Sequence, residues 1–136
     1  AALMSSVLID TSVWIEYLKR DNHPIRSSVD SLLDQKLVAT CRTVQCELLP
    51  FFADEQQFLK YHLIFSSLPL CDECRLDWEA VIHYAFLLRQ KGLSGFGVPD
   101  LMIAQLSIQY DRIIFTLDGD FPNLAAVMPI KLLSLD

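Results

Sequence analysis

The sequence predicts an α/β fold, a three-layer α/β/α sandwich with a central, mainly parallel sheet. Two observations support this prediction. Short apolar runs alternate along the chain with segments whose apolar residues recur at helical spacing. The runs at 7–9 and 113–117 are almost continuously apolar, which is typical of strands buried on both faces of a parallel sheet.

The first half of the chain supplies two strands and four helices. In the first helix, Val13, Trp14 and Tyr17 recur at helical spacing. Thr43 is suited to cap a later helix, which ends before Pro50. In order, the elements are a strand at 7–9, helices at 12–19 and 25–35, a strand at 37–40, and helices at 43–49 and 54–65.

The second half of the chain begins with the longest helix, which Gly92 ends. Pro99 suits the first turn of the next helix, where Asp100 interacts favourably with the helix dipole. No repeat or linker divides the chain, so we expect one domain over 1–136. In order, the elements are a strand or extended link at 68–70, a helix at 77–91, a glycine-containing loop at 93–98, a helix at 99–110, a strand at 113–117, a short helix or turn at 120–125 and a strand at 130–133.

The composition predicts a compact cytoplasmic protein. Hydrophobic residues make up 52% of the 136 residues, yet no apolar run approaches the ~20 residues of a membrane span. The net charge of −6 is unusual for a protein that binds nucleic acid. Two bound divalent ions would add +4 and bring −6 to −2, so part of the acidity can belong to a metal site.

The four cysteines allow two interpretations. Their spacing loosely resembles a zinc site, but only the second pair has the customary two-residue separation. Reduced thiols that fill the core are the favoured interpretation. The cysteines are Cys41, Cys46, Cys71 and Cys74.

Four acidic residues stand in apolar surroundings. Asp10 and Asp118 each follow an apolar run, and Glu47 and Asp100 interrupt apolar segments. Each has an ordinary explanation by itself, as a helix cap, a helix-dipole partner, a solvated charge or a turn residue. Carboxylates are seldom buried without partners, and side chains at the carboxyl ends of parallel strands share one crevice. The four together therefore predict a divalent metal site, for which Mg²⁺ or Mn²⁺ is suited.

Four motifs, in this order and spacing, resemble those of PIN-domain ribonucleases, and most of all the VapC-type toxins of bacterial toxin–antitoxin pairs. The resemblance covers essentially the whole chain. In this resemblance, the acidic quartet of the family corresponds to Asp10, Glu47, Asp100 and Asp118. Asp120 shares or replaces the role of Asp118. The motifs are residues 7–12 (VLIDTS), Glu47 on a helix, residues 99–104 (PDLMIA) and residues 115–121 (FTLDGDF).

The resemblance implies a Mg²⁺- or Mn²⁺-dependent endoribonuclease. Asp10 and Asp118 would be the main direct ligands, with Asp100 completing the first site. Glu47 would bind a second ion or position the attacking water. The hydroxyl positions of the family correspond to Thr11 or Ser12 and to Thr116, which would orient the carboxylates.

The resemblance also implies partners, namely an RNA substrate, a cognate antitoxin and a second copy of the chain in a homodimer. The large aromatic side chains are expected mainly in the core. Some of them could instead form a dimer face or a groove for an amphipathic partner helix. They are Trp14, Tyr17, Trp78 and Phe86.

Two other classes of protein fit the sequence less well. Two further functions cannot be distinguished from a toxin ribonuclease by sequence alone. A haloacid dehalogenase-type phosphatase needs a second Asp where this chain has Ser12. A receiver domain needs paired acids before the end of its first strand and a lysine after a late strand, and neither feature fits this sequence. A catalytically silent PIN-like binding module and a housekeeping PIN nuclease without an antitoxin both remain open. A small adjacent gene for a DNA-binding antitoxin would favour the toxin.

Overall fold

A computed structural model describes residues 6–19, 21 and 23–134. The ends of the expected 1–136 domain lie outside these residues. At the centre of the fold, β1 (Val7–Ile9) pairs in parallel with β2 (Val38–Ala39) on one side and with β3 (Ile113–Phe115) on the other. All three β1 side chains are fully buried because β1 is the middle strand.

The sheet widens beyond its three strands through single parallel bridges. Thr40 pairs with Leu70 next to β2, and Ile114 pairs with Leu132 next to β3. The parallel sheet flanked by helices confirms the predicted fold class. The helices are α1 (Thr11–Lys19), α2 (His23–Asp34), α3 (Arg42–Leu48), α4 (Glu55–Ser66), α5 (Trp78–Gln90), α6 (Val98–Gln109) and α7 (Asp120–Leu124).

Several predicted boundaries differ from the structure. The strand expected at 130–133 is reduced to the single bridge at Leu132. β3 ends at Phe115, two residues before the predicted end, because its pairing partner β1 ends opposite it at Ile9. α2 begins at His23, two residues early, with Pro24 in its first turn, where proline is tolerated.

The expected cap of α3 at Thr43 is wrong. The N-cap residue is Cys41, whose side chain makes no capping hydrogen bond in the described part of the chain. The carboxylate of Glu73 accepts hydrogen bonds from the Arg42 and Thr43 backbone N–H groups and from the Thr43 hydroxyl. Because this cap comes from a 3-10 helix (Glu73–Arg75) about thirty residues away, it anchors α3 to the chain beyond α4.

The aromatic residues divide between the core and the surface. Trp14 is buried and packs edge to face against Phe65, with ring centroids 4.8 Å apart. Trp78 and Phe86, expected mainly in the core, are instead about half exposed on α5. Their row on the helix lies away from the buried Val81 and Leu88, which face the core. That assignment to the core was therefore wrong for these two side chains.

Within the described residues, no helix combines the length and the apolar character that crossing a membrane requires.

The N-terminus of α5 offers a test of local stability. Asp77 caps it, and its carboxylate accepts the Ala80 N–H at 3.0 Å. We expect Asp77→Ala to lower the free energy of unfolding by about 1 kcal/mol, because an N–H of the first turn loses its acceptor. Urea denaturation measures the change. Asp77→Asn is the control, since asparagine also caps helices, and an equal loss in both variants would contradict this role of the cap.

Candidate active site

The parallel pairing of β1 with β3 brings their carboxyl ends together. The Asp10 N–H donates to the Phe115 carbonyl at 2.9 Å, which continues the ladder one residue beyond β1. The Asp10 carboxylate is only 5% exposed. Its Oδ2 accepts hydrogen bonds from the hydroxyls of Ser12 (2.8 Å) and Thr116 (2.9 Å). One oxygen of Asp10 is therefore held by two donors from different parts of the chain.

Ser12 and Thr116 also connect the two strand ends directly. Their hydroxyl oxygens lie 3.3 Å apart. The Ser12 hydroxyl accepts the Leu117 N–H at 3.0 Å, and the Thr116 hydroxyl accepts the Asp118 N–H at 3.0 Å. These bonds fix the backbone that leads into Asp118. The two hydroxyl side chains thus lie where the sequence placed them, against the first acid.

Glu47 approaches this edge of the sheet from α3. Its Oε1 accepts the Thr11 hydroxyl at 2.9 Å. The residue as a whole is exposed, but partial burial of its carboxyl group raises the pKa of Glu47 above its usual range. The negative charges of Asp10 and Asp100 raise this pKa further, and the Thr11 hydrogen bond opposes them. The charge of Glu47 therefore interacts with the charges of Asp10 and Asp100.

Asp100 lies in the first turn of α6, and its Oδ2 accepts the Gly97 N–H at 3.2 Å. Burial raises the pKa of Asp100, and the charges of Asp118, Asp10 and Asp120 add to the effect. The Gly97 hydrogen bond acts in the opposite direction. The negative charges of three neighbouring acids therefore all raise the pKa of Asp100.

Three carboxylates form a compact cluster. Asp100, Asp118 and Asp120 each offer an oxygen such that the three atoms lie within 4.8 Å of one another. Asp118 and Asp120 belong to the same turn, in which the Asp120 N–H donates to Asp118 Oδ1 at 2.9 Å. The sequence left open whether Asp120 shares the role of Asp118. The structure places both in the cluster.

Asp10, which the resemblance made a main direct ligand, is not a member of this three-carboxylate cluster in the described part of the chain. It lies beside the cluster, near enough to raise the pKa of Asp100. The glycine-containing loop borders the cluster on another side. A Cβ on Gly95 would lie 3.8 Å from Asp120 Oδ1, and the φ of +95° at this residue favours glycine.

The cluster fits a divalent cation by the chemistry of its donors. Its members are carboxylate oxygens, the ligands that Mg²⁺ and Mn²⁺ prefer. Three partly buried negative charges also repel one another, and a bound cation would relieve this repulsion. Asp100, Asp118 and Asp120 are the residues that could hold it.

Among the described residues, none of the cysteines belongs to the three-carboxylate cluster. Cys41 and Cys71 are buried, and Cys46 and Cys74 are exposed. Burial raises the pKa of the Cys41 and Cys71 thiols, so both are held in the protonated form.

Sequence reasoning missed two features that position the acids. The Gly97 N–H orients Asp100, and Glu73 caps α3, the helix that carries Glu47. The first feature could be predicted locally, from the glycine that directly precedes the Val-Pro-Asp start of the helix. No local pattern signals the second, because Glu73 and Arg42 are 31 positions apart.

The fold and the site define a class of protein, an α/β domain with a cluster of carboxylates at the carboxyl edge of a parallel sheet. Residues 7–127 match the model of the PIN domain family, and the chain belongs to this family.

Similar proteins agree with this membership. Ribonuclease VapC11 of Mycobacterium tuberculosis is 25% identical over 128 residues, which cover 92% of this chain and 96% of that protein. The DNA-bound VapBC structure from Salmonella typhimurium has a similar fold, with a TM-score of 0.74, 18% identity and coverage of 98% of this chain and 100% of that chain. The DNA-bound VapBC2 structure from Rickettsia felis gives a TM-score of 0.73, 20% identity and coverage of 93% and 96%.

The raised pKa of Asp100 leads to a prediction about stability. We expect Asp100→Asn to raise the melting temperature of the metal-free protein at neutral pH by a few degrees, because it removes a charge that its neighbours repel. A carboxyl group whose pKa is raised in the folded state binds more protons folded than unfolded. Its destabilising effect therefore disappears as the pH falls through the folded-state pKa toward the unfolded value. The difference in melting temperature between Asp100→Asn and the wild type should shrink over that pH range.

Thermal melts with EDTA, at neutral and mildly acidic pH, measure this difference. Asp111→Asn is the matched control, because Asp111 is exposed and its φ of 52° suits asparagine. Asp111→Asn should melt like the wild type at both values. A lower melting temperature for Asp100→Asn, or a difference that does not change with pH, would argue against electrostatic strain at this residue.

Proposed function

We propose that this PIN-domain protein is a metal-dependent endoribonuclease that acts as the toxin of a toxin–antitoxin pair. The cluster of Asp100, Asp118 and Asp120 carries the proposal, because phosphodiester hydrolysis needs positive charge near phosphorus and these carboxylates can hold it. Similarity to a protein named ribonuclease VapC11 supports RNA as the substrate. Mg²⁺ or Mn²⁺ is the cation we expect.

Such a cation, when bound, neutralises charge on the phosphoryl oxygens and makes a water molecule more acidic. The residues of the chain then divide the remaining work. Asp100, Asp118 and Asp120 would hold the cation. The Oδ2 of Asp10 accepts two hydroxyls, which would keep this carboxylate in place beside the cluster.

Glu47 is the residue we assign to proton transfer. Its Oε1 is occupied by the Thr11 hydroxyl, so Oε2 would accept the proton of the attacking water. Glu47 is not one of the three clustered carboxylates, so its carboxylate would remain available as a base. Thr11, Ser12 and Thr116 would act by orienting the carboxylates that they bond.

Cleavage of a mixed RNA pool tests this activity. We expect the wild type to cleave RNA with Mg²⁺ or Mn²⁺ and to stop when EDTA is added. Asp100→Asn should lower the rate more than about 100-fold, since changing a partner of a metal ligand alone often costs 10–100-fold. Asp111→Asn, a change of the same kind outside the cluster, should leave the rate unchanged.

Two results would contradict the proposal. Cleavage that persists in EDTA would refute metal dependence. No cleavage by folded wild type under any of these conditions would favour the catalytically silent binding module.

The homodimer that we propose would form through α5. Trp78, Ile82 and Phe86 recur every four residues and are 48%, 60% and 56% exposed. A two-fold axis at Ile82 would place Trp78 of one copy against Phe86 of the other. This row is therefore complementary to itself, as a two-fold interface requires.

Charge favours the same antiparallel pairing. The start of α5 carries Asp77 and Glu79, whereas its end carries Arg89 and Lys91. Antiparallel copies would bring the acidic end of each helix toward the basic end of the other. A second exposed apolar patch, formed by Phe51, Leu59 and Leu63, is the surface we propose for the antitoxin. The similar VapBC structures support such a partner.

Size-exclusion chromatography with light scattering tests the dimer. We expect the wild type to be dimeric and Ile82→Glu to be monomeric, because the change would place two like charges at the axis. Leu63→Glu, the same kind of change on the other patch, should leave the dimer intact. A monomeric wild type would contradict the dimer. Dissociation by Leu63→Glu alone would move the interface to α4.

A further inference from the structure

The helix that carries Glu47 is short. α3 runs from Arg42 to Leu48, and its 7 residues make just under two turns. A helix of this length is marginally stable by itself, because few hydrogen bonds offset the cost of ordering its first turn. Contacts with the rest of the chain must therefore hold α3, and with it Glu47, in place.

Glu73 supplies the contact at the start of α3. The first N–H groups of any helix lack partners inside the helix. In α3, the Glu73 carboxylate accepts the Arg42 N–H at 3.1 Å, the Thr43 N–H, and the Thr43 hydroxyl at 2.7 Å. Its negative charge also lies at the positive end of the helix dipole. Glu73 therefore stabilises the first turn through both hydrogen bonds and charge.

The first turn of α3 in turn holds the second turn, in which Glu47 lies. The α-helical pattern joins each N–H to the carbonyl four residues earlier, so the Thr43 carbonyl is the partner of the Glu47 N–H. Fraying of the first turn would release this part of the Glu47 backbone. The hydrogen bond from the Thr11 hydroxyl holds only one oxygen of the Glu47 side chain, so it cannot replace the backbone restraint.

The far end of α3 is anchored differently. Leu48 and Leu49 are buried, with 6% and 4% of their surfaces exposed, and they would keep this end in the core without the cap. The three-carboxylate cluster belongs to α6 and to the turn after β3, not to α3. Loss of the cap should therefore loosen Glu47 without unfolding the domain or displacing the cluster.

We propose that Glu73 is a positioning residue for the ribonuclease reaction, because it fixes the helix that carries Glu47. This inference rests on the proposed function, in which Glu47 accepts a proton from the attacking water. Glu73 would act only through α3 and would touch neither RNA nor a cation. Misplacing a reacting group by about 1 Å can cost on the order of 100-fold in rate, so even partial loss of the cap should be measurable.

A cycle of variants tests whether Glu73 acts through Glu47. Glu73→Gln keeps the size of the side chain but removes its charge and one of its two acceptor oxygens. We expect it to lower kcat about tenfold and to leave KM unchanged, because the position of the base matters in the reacting complex. In a protein that already carries Glu47→Gln, the same change should lower the rate no further. A general loss of structure would instead lower both rates by the same factor.

Asp72→Asn is the matched control. Asp72 caps the 3-10 helix that contains Glu73, and its carboxylate accepts the Cys74 N–H at 2.9 Å. Asparagine can keep this bond, so the variant removes a neighbouring charge and leaves the cap of α3 intact. Its cleavage rate should equal that of the wild type.

Amide hydrogen exchange gives a readout that does not depend on cleavage. Local opening determines how fast amides exchange in the native state. The α3 amides of Glu73→Gln should exchange about tenfold faster than those of the wild type, because the first turn loses an acceptor. The amides of β1 and β3 should change less, and Asp72→Asn should exchange like the wild type throughout.

The outcomes separate this inference from the proposed function. If the folded wild type cleaves no RNA, the proposed function and the positioning role both fail. If the wild type cleaves RNA, three results would overturn the positioning role alone. These are a normal rate in Glu73→Gln, unchanged exchange of the α3 amides, and an equal further loss of rate when Glu73→Gln is added to Glu47→Gln.

Discussion

The parallel pairing of β1 with β3 is the constraint on which the rest of the site depends. Leu8 lies opposite Ile114, and Ile9 lies opposite Phe115. This register puts Asp10 beside the residues that follow β3, although more than one hundred positions separate them. A shift of one residue would break the hydrogen bond from the Asp10 N–H to the Phe115 carbonyl and move Asp10 away from Thr116. The register of β1 against β3 therefore fixes the site.

The same edge of the sheet concentrates negative charge that the fold must accommodate. Hydroxyl donors stabilise the charge of Asp10, and a backbone N–H stabilises the charge of Asp100. These bonds oppose the rise in pKa that burial and repulsion cause, but they do not remove it for Asp100 or Glu47. Functional sites often retain such strain because relieving it would remove the chemistry.

The surface of the molecule differs in chemistry from one region to another. The carboxylate cluster is polar and lies at one edge of the sheet, whereas the exposed apolar side chains of α5 and α4 lie on helices. Apolar rows of this length are uncommon on a protein that works alone.

The sequence by itself determined the fold class, the order of the elements and the identity of the acidic residues. Continuous apolar runs and helical spacing are local patterns, so they predicted β1, the start of β3 and the helix boundaries to within two residues. The tertiary structure decided which acids meet. It grouped Asp120 with Asp100 and Asp118, set Asp10 beside them, and capped α3 with Glu73 rather than Thr43. It also placed Trp78 and Phe86 on the surface. Distances between carboxylates and the exposed side of a helix depend on contacts between distant segments, and no local pattern contains them.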